Sequence, residues 1–148
     1  MIGMYVMKQA DLQINRTKPD SIAMGSYNSD SHNIQRVVMP DGSVRNEGDV
    51  QVPVKPYEIA FGTILPKKSE TNNLLVPVCL SASHVAYSSV RMEPQYMMLG
   101  QAAGVTAALA IRDKSAVQDV SIKALQVRLR SQRAILHLDQ QATGTRAE

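Results

Sequence analysis

Pro94-Gln95-Tyr96-Met97-Met98-Leu99-Gly100-Gln101-Ala102-Ala103-Gly104-Val105-Thr106-Ala107-Ala108-Leu109-Ala110-Ile111 runs for 18 residues without a charge and is closed by Arg112-Asp113-Lys114. Proline suits the first turn of a helix, where its missing N–H is no loss, and alanine is the strongest helix former. The stretch is therefore predicted to be a buried helix. Within it, Gly100-Gln101-Ala102-Ala103-Gly104 sets two glycines one helical turn apart, so that one face has almost no side-chain bulk. Something flat should approach that face: a helix, a strand or the edge of a cofactor. Spacing alone leaves close packing and ligand contact both open. Small residues four apart also occur in membrane dimers. Here, however, Gln95, Gln101, Thr106, the glycines and the alanines make the segment only weakly apolar, and no aromatic belt flanks its far end, so no membrane span is expected.

Downstream, Ser121 is placed to cap a second helix running to Gln132, with Ile122, Leu125 and Leu129 on one face and Lys123, Arg130 and Arg133 turned away. The basic residues suit the solvated face and C-terminal end of that helix. Residues 139 to 148 read as a flexible tail. Upstream, Leu74-Leu75-Val76-Pro77-Val78-Cys79 is a short apolar run bounded by turn residues, the pattern of a strand buried on both faces. It would leave Cys79 as a buried, inert thiol. Ser81-Ala82-Ser83-His84 reads as a loop. Val37-Val38-Met39, Pro40-Asp41-Gly42-Ser43 and Val44-Arg45 form a β-hairpin pattern. Val50 to Ile59 alternates, but Pro53 and Pro56 confine it to an edge or a crossover. Ser26 to Arg36 reads as loop or edge strand, Thr17 to Ser21 as a turn, and Met1 to Met7 as a strand.

The chain has 148 residues, 44% of them hydrophobic, enough for one domain with a single core. Aromatic residues make up only 4%, so the core must rest on aliphatic residues and eight methionines, which adapt well to a partner's shape. Sixteen basic residues against 13 acidic give a formal charge of +3, spread without clusters, so no nucleic-acid partner is expected. The one cysteine excludes an internal disulfide and leans toward a reducing compartment such as the cytoplasm. No basic stretch precedes the apolar start, so it does not read as a signal peptide. No metal-ligand spacing, P-loop or Ser-His-Asp set is present.

Asn73 to Cys79, Ser81-Ala82-Ser83-His84-Val85-Ala86-Tyr87, Val90-Arg91-Met92-Glu93-Pro94 and Gly100 to Gly104 together resemble the C-terminal region of the FAD-dependent oxidoreductase family, whose members are sometimes labelled xanthan-lyase-like. Tyr27 to His32, Pro56 to Ile59 and Leu65-Pro66-Lys67 resemble that family's substrate-side segments, so the likeness covers most of residues 1 to 135. It implies FAD as cofactor, a small organic substrate and hydride transfer between them. It also implies a helix whose amino end faces the flavin, where unpaired N–H groups and the positive dipole end stabilise negative charge at the N1/C2=O edge.

On the resemblance, Arg91, Met92 and Glu93 lie near the flavin ring, joined by Ser83 and His84 from the preceding loop. Gly100 and Gly104 let the helix lie against the dinucleotide-binding core. His84 is placed either for proton transfer or anion binding, or as a structural residue. Arg91 either forks onto a substrate carboxylate or flavin carbonyl, or pairs with Glu93. Glu93 alternatively caps the helix. Asp30 and His32 form a candidate substrate-side pair, though polar loops commonly hold such residues.

The chain departs from the family in one large respect. The G-x-G-x-x-G turn that grips the pyrophosphate, with its following acidic residue, is absent from the eight glycines. The expected fold is therefore mixed α/β, a C-terminal fragment of a two-domain FAD-binding oxidoreductase. Residues 1–66 would belong to the substrate side, and residues 67–138 would hold the last strand and two helices. A missing N-terminal FAD-binding segment, or another chain, would complete it. The rival readings are a non-catalytic partner module docking through its methionines, and a polysaccharide lyase, which would need an aromatic-lined cleft.

Overall fold

Two short antiparallel strands, β1 (Ser21–Gly25) and β6 (Tyr57–Ala60), form the centre of the protein in a computed structural model that describes residues 1–137. Every residue of both strands is buried. Tyr57 and Ile59 face one way, Glu58 and Ala60 the other, as the two-residue strand period requires. The Tyr57 ring lies across Gly25, where an added Cβ would stand 2.6 Å from its hydroxyl oxygen, so only glycine admits the ring. That hydroxyl is hydrogen-bonded to Ser89 Oγ at 2.8 Å.

The long helix forms as its sequence dictates. It is α3 (Glu93–Asp113), with Pro94 in its first turn and Lys114 closing it in the left-handed conformation. Leu99, Ala102, Ala103, Thr106, Leu109 and Ala110 are buried, against β1 and the C-terminal helix α4 (Ile122–Ser131). Thr106 Oγ1 donates to the Ala102 carbonyl at 2.7 Å, so its buried hydroxyl is satisfied within the helix. Ser121 caps α4 by accepting from Ala124 N at 3.4 Å, and Leu125 and Leu129 enter the core. Fully burying Leu99, Leu125 and Leu129 contributes roughly 1.5–3 kcal/mol each.

Only one side of α3 is covered, and the slim glycine face that was expected to meet something flat stands open among the described residues. Met97 and Ile111 are 74% and 78% exposed, and nothing lies within 4 Å of a Cβ added at Gly100 or Gly104. No helix among the described residues is long and apolar enough to cross a membrane.

The hairpin forms as read, from β3 (Gln35–Val38) and β4 (Val44–Glu47), with Gly42 at a φ of 81° in its turn. Strand β2 (Ser29–Ser31) pairs with β5 (Val50–Val52), which ends at Pro53. Two further helices were not anticipated. The first, α1 (Gln9–Gln13), brings Asp11 into a buried cluster, where the carboxylate accepts from Tyr5 Oη at 2.6 Å and Lys8 N at 2.7 Å and pairs with Lys18 Nζ at 3.0 Å. Burial pushes this carboxyl up, but the three donors and the Lys18 charge more than reverse that and hold it below the usual carboxylate range. The second, α2 (His84–Val90), starts where a loop was expected, because Ser83 Oγ accepts from Ala86 N at 3.3 Å and caps it.

Two expected strands do not form. Met1 to Met7 makes only isolated bridges, Gly3 to Pro66 and Met7 to Ala82, because its backbone partners (Gly62, Leu65, Ser81) come from scattered places and not from one extended neighbour. Leu74 to Cys79 has no strand beside it among the described residues. Its Val76 N–H donates to the Ile64 carbonyl at 2.9 Å, Leu74 and Val78 are each 49% exposed, and Cys79 is exposed where a buried thiol was expected. The molecule is thus mixed α/β with three two-stranded sheets and four helices among the described residues, not a continuous sheet. One apolar core runs from Met7 to Leu136. The expected tail at 139–148 lies outside the described residues.

Candidate functional site

The amino end of α3 opens onto a cavity of about 710 Å³, within the 300–1,000 Å³ range of small-molecule sites. Its wall is made by the end of β1 (Met24, Gly25), by Met92, Pro94 and Gln95, and by Arg133 just past α4. Met92 is the N-cap residue and has no oxygen to turn back on the first-turn N–H groups, while Pro94 has no N–H at all. Glu93 and Gln95 are left as the donors of the first turn. Gln95 is only 6% exposed, and its Oε1 has no hydrogen-bond partner among the described residues. A buried acceptor left unpaired costs about 1–3 kcal/mol. Arg133 holds a φ of 65°, the left-handed position that glycine takes more easily after a helix.

A second, shallower cavity of about 550 Å³ is lined by Arg91, the residue before the Met92 that lines the first. There α2 and the β2 region bring together Asp30, His32, His84, Tyr87 and Arg91. The imidazole Nε2 of His84 is 2.8 Å from Ser31 Oγ, and Arg91 Nη2 donates to the Asp30 carbonyl at 2.9 Å. Tyr87 donates to the Val78 carbonyl at 3.2 Å and lies 2.7 Å from the Tyr96 hydroxyl, which is left to donate to it. Burial first, and then that hydrogen bond, keep the Tyr96 phenol protonated well above its usual range.

The residues named from sequence thus separate into three groups. His84 and Arg91 share the shallow cavity with Asp30 and His32, and Arg91 contacts backbone in place of Glu93. Met92 faces the larger cavity. Glu93 is exposed in the first turn of α3, Ser83 is engaged in capping α2, and Gly100 and Gly104 lie on the open face of α3. Gln95 was not singled out, and Arg133 was read only as part of the solvated C-terminal end of the second helix, whereas it lines the larger cavity. A lone amide at the start of a charge-free helix was the available signal for Gln95; for Arg133 there was none.

A family model described as FAD dependent oxidoreductase matches residues 1–129. The chain belongs to the FAD-dependent oxidoreductase family. The cofactor of this flavoprotein family is FAD. No curated protein and no solved structure gives a match. The larger cavity suits a flavin ring in its size and its mostly apolar lining beside an uncapped helix amino end.

Proposed function

We propose that the chain is the C-terminal part of an FAD-dependent oxidoreductase and forms one wall of its flavin site. The observation that carries this reading is the large cavity over the α3 amino end, which no side chain caps. FAD supplies hydride exchange with a small organic substrate when bound. Residues 67–138 contribute the flavin-facing helix, with Arg91, Met92 and Glu93 at its start; residues 1–66 contribute the substrate side. Ser83 acts by fixing α2, and so the place of His84. In the shallow cavity, the Arg91 guanidinium orients an anionic substrate group, and His84 holds or moves a proton at Nε2, the atom now turned to Ser31.

The pyrophosphate grip belongs to polypeptide outside these residues, on the same or another chain, and docks on the slim α3 face at Gly100 and Gly104. The chain alone should then hold FAD weakly. Co-expression with a family segment carrying the G-x-G-x-x-G fold should give a complex with the flavin absorbance bands near one flavin per chain. A stable complex without flavin would sink the reading.

A further inference from the structure

The shallow cavity holds a cation that the protein leaves unmatched. Arg91 is half-buried, and its guanidinium gives one N–H to the Asp30 carbonyl at 2.9 Å. The rest of its fork has no protein partner, and it forms no ion pair, among the described residues. Fixed charges around it are few. Asp30 supplies the only carboxylate of the lining, with Oδ2 accepting from Tyr27 Oη at 3.3 Å, and no lysine or second arginine lines the cavity. A phosphate dianion would set two charges against one guanidinium beside a carboxylate. A single carboxylate brings one charge, in the planar geometry that the guanidinium fork matches.

Beside that cation the cavity offers apolar surface that is held in place. Ile34 lines it while 67% exposed. Its N–H donates to the Glu47 carbonyl at 2.9 Å, and its side chain rests on Gly48, where an added Cβ would stand 3.0 Å from the Ile34 Cβ. Tyr87 uses its hydroxyl twice, donating to Val78 and accepting from Tyr96, so its ring is what remains for a ligand. His84, Tyr87, Ser88 and Arg91 stand at i, i+3, i+4 and i+7 along α2, so a ligand reaching from Arg91 toward His84 crosses Tyr87. We infer that the shallow cavity takes a small monocarboxylic acid with an apolar body, its carboxylate on Arg91 and its body against Ile34 and the Tyr87 ring. The inference rests on the reading of Arg91 as the residue that orients an anionic substrate group. It adds the class of acid, and it makes Ile34 and Tyr87 specificity-determining residues.

Phenylacetate carries the charge and the body, acetate the charge alone, and phenyl phosphate the body with a dianion at about pH 8. Each can be titrated into the intact 148-residue chain without flavin. Nuclear magnetic resonance of the three histidine rings reports the site, since His32 and His84 line the cavity and His137 does not. Phenylacetate should move the His32 and His84 signals, leave His137 unmoved, and bind about tenfold more tightly than acetate or phenyl phosphate. Arg91→Gln should weaken phenylacetate about tenfold. Ile34→Ser, at an exposed position, should reduce the advantage over acetate to within about threefold. If acetate or phenyl phosphate binds as tightly as phenylacetate, or if the full advantage survives Ile34→Ser, the inference falls and Arg91 remains an anion site. No response of His32 and His84 to any of the three overturns the inference and the anion-orienting role of Arg91 together. Neither outcome bears on the flavin wall, which the co-expression experiment decides separately. The three ligands are compared on the unaltered chain, so a folding defect in a variant would not obscure the result.

Discussion

Asp11 shows how a single side chain ties the amino-terminal segment to the core. Its carboxylate is the counter-charge of Lys18, itself 9% exposed, and it also holds the Tyr5 hydroxyl and the Lys8 N–H. Because the folded carboxyl titrates below its unfolded value, its stabilising contribution is complete above about pH 4 and is lost as the pH falls through the folded value. Asp11→Asn should cost about 3 kcal/mol at neutral pH, since it strands a buried ammonium. It should also flatten the dependence of stability on pH below about pH 4, which urea unfolding at a series of pH values would measure. An unchanged acid limb would show that other carboxylates govern it. Nothing in the sequence marked Asp11 for this role, because the partners that bury its charge, Tyr5 and Lys18, stand six and seven residues away, a spacing that no local pattern reads. The same holds for Gly25, whose need to be glycine comes from Tyr57, 32 positions later.

Among the elements, those legible in the sequence are the ones that carry their own start and stop signals. Helix α4 has its serine cap, the β3–β4 hairpin its Pro-Asp-Gly turn, and α3 its proline and its closing charges. The misread elements depend on neighbours. An apolar hexapeptide becomes a strand only if another strand takes its hydrogen bonds, and Leu74 to Cys79 has none among the described residues. Helix α2 was missed because Ser83-His84 reads equally well as loop or as cap. The open face of α3 gives a prediction of its own. With nothing within 4 Å of either glycine, Gly100→Ala and Gly104→Ala should each stabilise the isolated chain by about 1 kcal/mol, through helix propensity alone. Larger replacements such as Gly104→Leu should leave the chain folded but abolish assembly with the dinucleotide-binding segment. Thermal unfolding and co-purification separate the two effects; a destabilising alanine would mean the face is already covered.

For the molecule as a whole, stability should be graded from centre to rim. Strands β1 and β6 are wholly buried and α3 rests on β1, whereas the residues of β3 and β4 are mostly exposed and pack mainly on each other. In native-state hydrogen exchange, the amides of β1, β6 and the buried side of α3 should exchange only through global unfolding. Those of the β3–β4 hairpin should open locally and lose protection first. Equal protection throughout would contradict this gradient. The family was legible from ordered motifs, and the mixed α/β class from the alternation of extended and helical patterns. Which candidate residues meet was not. His84 and Arg91 meet only because α2 intervenes, and Gln95 gains its orphaned oxygen only from burial.

Arg91 and Met92 are consecutive residues facing different chambers. They are joined by one planar peptide unit with about 3.8 Å between its Cα atoms. Any shift of this link therefore moves a lining residue of both chambers at once, so a change felt in one is carried to the other by covalent geometry.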